Sequence, residues 1–390
     1  MRILMVSHGY PPILSGITLV VQKLARAMVR RGHHVAVVTA SDRSESYETE
    51  DEGVRLIRVQ GGPNPFWTEA PIPFISHDDL QEIVKDVQPD ILHAHESGFL
   101  GLQLARLEID PELPRVASCY YVPRFVARYL TWTGEPSQIV ENLVRSYSTW
   151  LFNHFDRVVF STAAHRAFFA GDGLLVPAAV ISNGVDIGRY APGDGYAPIE
   201  QKYDLRAGPR ILFVSRLAKD KEIHVLIEAM QHLGSDLGAE LLLVGRGDDE
   251  PRLRELTAEL GLEHRVRFLG FVPEADLPAL YRASDLFAIA SICEVQSLPT
   301  LQAAATGLPV VAADAVALPE LVHDGVNGFL VPPADAEGFA QAMGRILHDD
   351  ALARLMGAAS LGFAREHAEE RTFDRYESLW LQTVGEQSNP

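Results

Sequence analysis

The chain has 390 residues, 47% of them apolar and 22% charged, with a formal net charge of −18 at pH 7. That length outgrows one ordinary core and predicts two α/β domains, and the acidity argues against nucleic acid as a partner. No apolar run reaches membrane-spanning length, and the opening MRILMVSHGYPP lacks the basic lead, apolar stretch and cleavage site of a secretory signal, so the chain reads as cytoplasmic.

Short apolar runs alternate with helical patterns from the start, the signature of parallel α/β folds. RILMVS (2–7), HHVAVVTA (33–40), ILHA (91–94), RVASC (115–119) and RVVFS (157–161) read as strands. Between the first two, GITLVVQKLARAMVRRG (16–32) repeats apolar residues every three or four positions and stops at Gly32, which predicts a helix. RSESYETEDEG (43–53) is polar and acidic and reads as a solvated loop.

The pattern restarts after a Pro-, Gly- and Asp-rich stretch at 191–209, the composition of a linker. RILFVS (210–215), ELLLVG (240–245), RVRFLG (265–270), LFAIA (286–290) and LPVVAA (308–313) read as strands, with helices at about 221–233 and 250–261. The charge is uneven: residues 1–190 hold 17 Lys+Arg against 21 Asp+Glu, and the remainder 17 against 31. The first half is therefore less repelled by an anionic acceptor or membrane face. Open α/β sheets take ligands at their carboxyl edges, so two such lobes predict a cleft lined by both edges.

Two segments carry the strongest chemical signals. In SICEVQSLPTLQAAATGLPVVAA (291–313), Ser297 stands as an N-cap before Leu298 and Pro299, following a strand that ends near Ala290. Free N–H groups and the helix dipole there suit a diphosphate, with Glu294 and Gln302 flanking the turn, one polar group toward a sugar and the other toward a ribose. An ordinary capped helix after a buried strand is the plainer reading of the same residues. In VSRLAKDKEIHVLIEA (214–229), Arg216 and Lys221 follow the end of a strand, where two cations can clamp a diphosphate leaving group. A solvated basic turn is the plainer alternative.

These segments, with GYPPILSG (9–16), RGHHV (31–35), ISNGVD (181–186), LLVGRGDD (242–249), VRFLGFVP (266–273) and PELVHDGVNGFLVPP (319–333), resemble the retaining, nucleotide-sugar-dependent family 4 glycosyltransferases of the GT-B fold. The resemblance runs over almost the whole chain. It implies two Rossmann-like domains facing each other across a cleft: an acceptor-side domain at 1–190, a linker at 191–209, a nucleotide-sugar domain at 210–370, and a last helix at 371–390 crossing back to the first domain. It also implies site roles. Gly16 lets the donor phosphates approach, Arg216 and Lys221 grip the diphosphate, and Gly245 lets the backbone near the nucleotide. Phe271 and Val272 frame the base, Glu294 bonds sugar hydroxyls, Ser297 and Leu298 offer N–H groups to phosphate, and Gln302 meets the ribose.

The sequence departs from the family pattern twice. Family members carry Glu where Gln302 stands, and a carboxylate there makes charge-assisted bonds worth about 1.5–3 kcal/mol against about 0.5–1.5 for an amide. They also carry His near the transferring sugar where Tyr120 stands, and a phenol is a poor base at neutral pH. His93 and His95 point the same way on a strand, as a metal pair would, but lack a third ligand in sequence. They read as structural or cleft-lining groups. No Asp-any-Asp triplet occurs, and Cys119 and Cys293 form no ligand spacing, so neither metal nor cofactor is expected.

Aromatic and basic residues cluster at 120–132 and 144–152. They read either as an amphipathic acceptor or membrane-docking surface or as helices covering the first sheet. The sequence thus predicts a hexosyltransferase, metal-independent and retaining, with a UDP-sugar favoured as donor. The acceptor is a lipid, glycan or small molecule, a glycolipid or glycan precursor among them, met by a cytoplasmic enzyme or one peripheral at the inner membrane face. A nucleotide-sugar 2-epimerase and a catalytically weak or inactive nucleotide-sugar-binding homologue remain as alternatives. A nicotinamide dehydrogenase is disfavoured, because SHGYPPILSG has no Gly-x-Gly-x-x-Gly fingerprint.

Overall fold

A computed structural model describes the chain except residues 14, 63, 65–70, 97, 109–112, 131–136, 172, 195 and 388–390, and the side chains of 128, 129 and 387. The chain divides into two compact units, Met1–Ser182 with Thr372–Pro390, and Asn183–Arg371.

The first unit is built on an eight-stranded sheet. Its strands are β1 (Arg2–Ser7), β2 (His34–Ala40), β3 (Tyr47–Asp51), β4 (Val54–Val59), β5 (Ile91–Ala94), β6 (Arg115–Ser118), β7 (Arg157–Phe160) and β8 (Ala178–Val180). They lie in the order β8-β7-β6-β5-β1-β2-β4-β3. All neighbours are parallel except β3 and β4. Both faces are covered, which is why β1 is a continuous apolar run: Ile3 and Met5 enter one core and Leu4 and Val6 the other. Helix α1 (Gly16–Arg30) opens on a capping box between Ser15 and Thr18 and buries Val21, Leu24 and Met28 against the first of these cores. Helices α2 (Pro123–Leu130) and α3 (Gln138–Phe152) follow β6.

The second unit carries β9 (Arg210–Val214), β10 (Glu240–Val244), β11 (Val266–Gly270), β12 (Leu286–Ile289), β13 (Val310–Ala313) and β14 (Gly328–Val331). All are parallel, in the order β11-β10-β9-β12-β13-β14. Numbered within the unit, this is 3-2-1-4-5-6, the doubly wound Rossmann order, whose ligand crevice opens where the order reverses. Helix α4 (Ile223–His232) follows β9 after a single 3-10 turn at Lys219–Lys221, and α5 (Leu298–Thr306) follows β12. The final helix, α6 (Glu369–Gln387), joins the first unit from Thr372 onward and buries Phe373, Tyr376 and Trp380 in its core.

Three details differ from the sequence reading. The acidic segment expected as a loop contains β3, an exposed edge strand paired with β4 through a turn at Glu52 and Gly53, both with positive φ. With no face buried, its residues show none of the alternation that marks a strand. The stretch expected as a linker packs on the second unit instead: Ala197–Lys202 is helical, Ile199 is buried, and Tyr203 donates to Asp276 at 2.7 Å. The helix expected from about 221 begins at Ile223, because Glu222 takes a left-handed conformation.

Candidate active site

Four strands of the second unit deliver residues to one sheet edge. Beyond β9 come Arg216 and Lys221, beyond β10 Gly245, beyond β11 Phe271 and Val272, and beyond β12 Glu294 and Ser297. The order reverses between β9 and β12, so the cations and Glu294 emerge at the switch point.

Lys221 is the electrostatic centre of this edge. Its Nζ donates to Glu294 Oε1 at 2.8 Å and lies 3.2 Å from Asp220 Oδ2. Burial opposes its charge, but the Glu294 and Asp220 carboxylates outweigh that cost and push its pKa well above the ordinary lysine value. Arg216 sits 3.9 Å from the buried Asp220 and keeps 46% of its side chain exposed, so its guanidinium borders solvent at the crevice. Asp220 in turn fixes the loop after β12, since its carbonyl accepts from the N–H of Ile292 and from Ser291 Oγ.

Helix α5 opens as its sequence predicts. The Ser297 hydroxyl accepts from the Thr300 N–H, Pro299 lies in the first turn, and Leu298 is the first helical residue, whose N–H has no intrahelical acceptor. Gln296 accepts from the Asn183 N–H at 2.6 Å, tying the cap to the ISNGVD turn. Gln302, one turn along, accepts from the Tyr281 hydroxyl at 3.0 Å.

The glycines differ from one another. Gly245 has φ of 133°, and a Cβ there would overlap the Ser215 carbonyl oxygen, so its own backbone demands glycine. Gly16, at the start of α1, would place a Cβ in open space. Phe271 is 56% exposed, an aromatic face at the sheet edge, whereas Val272 is buried in the core.

In the first unit, Tyr120 leaves β6 and bonds His95 Nδ1 at 2.9 Å. His95 leaves β5, next to β1, again at the point where strand order reverses. Its ring lies 3.9 Å from that of His93, whose Nε2 meets Ser118 Oγ at 2.9 Å. Ser118 Oγ also lies 3.2 Å from the Tyr376 hydroxyl on α6. Burial lowers the pKa of His95 to about 3 and drives that of His93 well down, so both are neutral at pH 7. This chain of polar groups, and the part Tyr376 plays in it, was invisible in sequence, because Tyr376 is 258 positions from Ser118. Among the described residues no group of three or more His, Cys, Asp and Glu could hold a metal ion.

Residues 14–189 match the model described as Glycosyltransferase Family 4, and residues 208–349 that described as Glycosyl transferases group 1. The D-inositol 3-phosphate glycosyltransferase of Nocardia farcinica (strain IFM 10152) is 36% identical, over 94% of this chain and 85% of its own. The sucrose-phosphate synthase structure from Thermosynechococcus elongatus aligns with a TM-score of 0.82 at 23% identity, covering 98% of this chain and 99% of its own. The structure of Anabaena Alr3699/HepE in complex with UDP-glucose aligns at 0.78 and 22% identity, covering 98% and 100%. The fold is that of the GT-B glycosyltransferases, two Rossmann-like domains in one chain. The protein is a glycosyltransferase and belongs to family 4.

Proposed function

We propose that the protein transfers a hexosyl group from a UDP-sugar to an acceptor hydroxyl with retention of anomeric configuration. One observation carries this reading: Arg216, Lys221 and the N-terminus of α5 converge on the switch point of a Rossmann sheet. A diphosphate bound there gains negative charge as the glycosidic bond breaks, and two cations with a helix dipole stabilise that charge as it develops. Those groups supply the neutralisation from within the chain, which suits a metal-independent enzyme.

Phe271 offers its exposed face to the uracil, Gln302 its amide to the ribose, and Glu294 its carboxylate to the sugar hydroxyls. The acceptor attacks from the face the diphosphate leaves, and the departing phosphate oxygen takes its proton. A uridine donor is supported by the Anabaena neighbour, solved with UDP-glucose. No helix among the described residues is long and apolar enough to cross a membrane. We place the enzyme in the cytoplasm, with α2 and α3 as its face toward the inner membrane.

A weak or inactive homologue is the second reading, favoured by one observation: Tyr120 and Gln302 are both engaged by their own chain, with His95 and Tyr281. A thermal-shift panel of UDP-, GDP- and ADP-sugars tests the donor, and product anomer analysis by NMR tests retention. Stabilisation by UDP-glucose without turnover, and turnover gained in Tyr120→His with Gln302→Glu, would establish the second reading instead.

A further inference from the structure

The carboxyl edge of the first sheet opens into a cavity of about 680 Å³. Its polar floor is formed by His8, His95 and Tyr120, and much of its wall by Val126, Leu143, Val144 and Tyr147 of α2 and α3. The floor sits beyond β1 and β5, where the strand order of this sheet reverses and ligands collect. His95 is completely buried, whereas Tyr120, whose hydroxyl it bonds at 2.9 Å, is only part-buried and lines the floor.

The wall continues outward along α3. Ile139, Leu143, Tyr147 and Trp150 recur every three or four residues and are 73%, 65%, 40% and 42% exposed. The adjoining side of the same helix buries Val144, Leu151 and Phe152 in the protein, and Gln138, Asn142 and Ser146 form its exposed polar side. The apolar arc of this helix therefore extends past the part that covers the core and out into water. Leu143 and Tyr147 belong to the cavity and the exposed stripe alike, so one apolar track leads from the neutral histidines to the surface.

We infer that this cavity binds an amphipathic acceptor, with a hydroxyl on the floor beside Tyr120 and an alkyl chain laid along Val126, Leu143 and Tyr147 toward Trp150. The inference rests on the transferase reading for the name "acceptor", but its test does not. The full-length protein is titrated calorimetrically with methyl, hexyl and octyl β-D-glucopyranoside, each below its micellar concentration. Affinity should rise about fourfold per methylene, hence about 16-fold from hexyl to octyl. Leu143→Glu and Tyr147→Glu, both at exposed positions, should weaken octyl glucoside binding about tenfold or more.

UDP-glucose affinity, read on the same samples, should be unchanged in both variants. Equal affinity for methyl and octyl glucosides, undetectable octyl binding, or octyl binding indifferent to both substitutions would overturn the inference. If wild-type protein binds the alkyl series but not UDP-glucose, the apolar site stands and the UDP-sugar reading falls.

Discussion

Lys221 Nζ and Glu294 Oε1 lie 2.8 Å apart, joining the loops that leave β9 and β12. Each side chain is only 12% exposed, and the buried Asp220 carboxylate stands 3.2 Å from the same ammonium. Replacing Lys221 by Met leaves two neighbouring carboxylates without their cation, and breaking such a buried pair from one side costs about 3 kcal/mol. Glu294→Gln leaves Lys221 its Asp220 partner and should cost clearly less. Denaturant titration of the two variants checks the asymmetry; equal losses would contradict it.

Gly245 and Gly16 should separate folding from ligand approach. Gly245→Ala forces a Cβ onto the Ser215 carbonyl at a φ that side chains avoid, so it should cost at least about 2 kcal/mol. Gly16→Val enters open space and should leave the melting temperature within about 2 °C. If the phosphates approach Gly16, the same variant should lose at least tenfold in kcat/KM for transfer. Full activity in a folded Gly16→Val would remove that role.

Acid should open the first unit before the second. His93, His95 and His165 are completely buried, and burial holds their pKa values down, to about 3 for His95 and about 4 for His165. A histidine buried in neutral form gives its stability above the unfolded pKa of about 6.5, and that stability is lost as pH falls below it. By pH 5 each has withdrawn about 2 kcal/mol. None of the second unit's histidines is buried. Pulsed hydrogen exchange after brief heating at pH 7 and pH 5 should show the acid-induced loss concentrated in Met1–Ser182; equal losses in both units would count against it.

Glu377 anchors the last helix. It accepts from Arg31 at 2.8 Å and meets His33 at 2.8 Å, and these bonds, His33's first, hold its pKa below the usual carboxylate value. Its contribution is therefore present above the unfolded pKa of about 4.3 and disappears as pH falls through the lower folded value. Glu377→Gln should lower the melting temperature at pH 7 and converge with wild type toward pH 3. A deficit that persists at pH 3 would mean that Glu377 acts through contacts that do not depend on its charge.

Much of this architecture was legible because parallel strands buried on two faces announce themselves as unbroken apolar runs, as β1 and β10 do. Three of the four edge strands were not: β3 buries nothing, β8 has three residues, and β14 hides in a turn-rich segment, while the fourth, β11, was read. Ser297, Pro299 and the cations could be read directly, since capping and charge are local. Asp220, which fixes Lys221 and Arg216 while pinning the loop after β12, could not be read from spacing. Nor could the His95–Tyr120 contact, which needs β5 and β6 to be neighbours. Gly245 was read as a residue of ligand approach, and the structure adds a reason within the chain itself.

Donor binding depends most on the diphosphate grip. Calorimetric titration with UDP-glucose should give one site per chain in the wild type and at least tenfold weaker binding in Arg216→Ala, which leaves the buried Asp220 still paired with Lys221. Undiminished affinity in a folded Arg216→Ala, with Lys221→Met also binding normally, would contradict it.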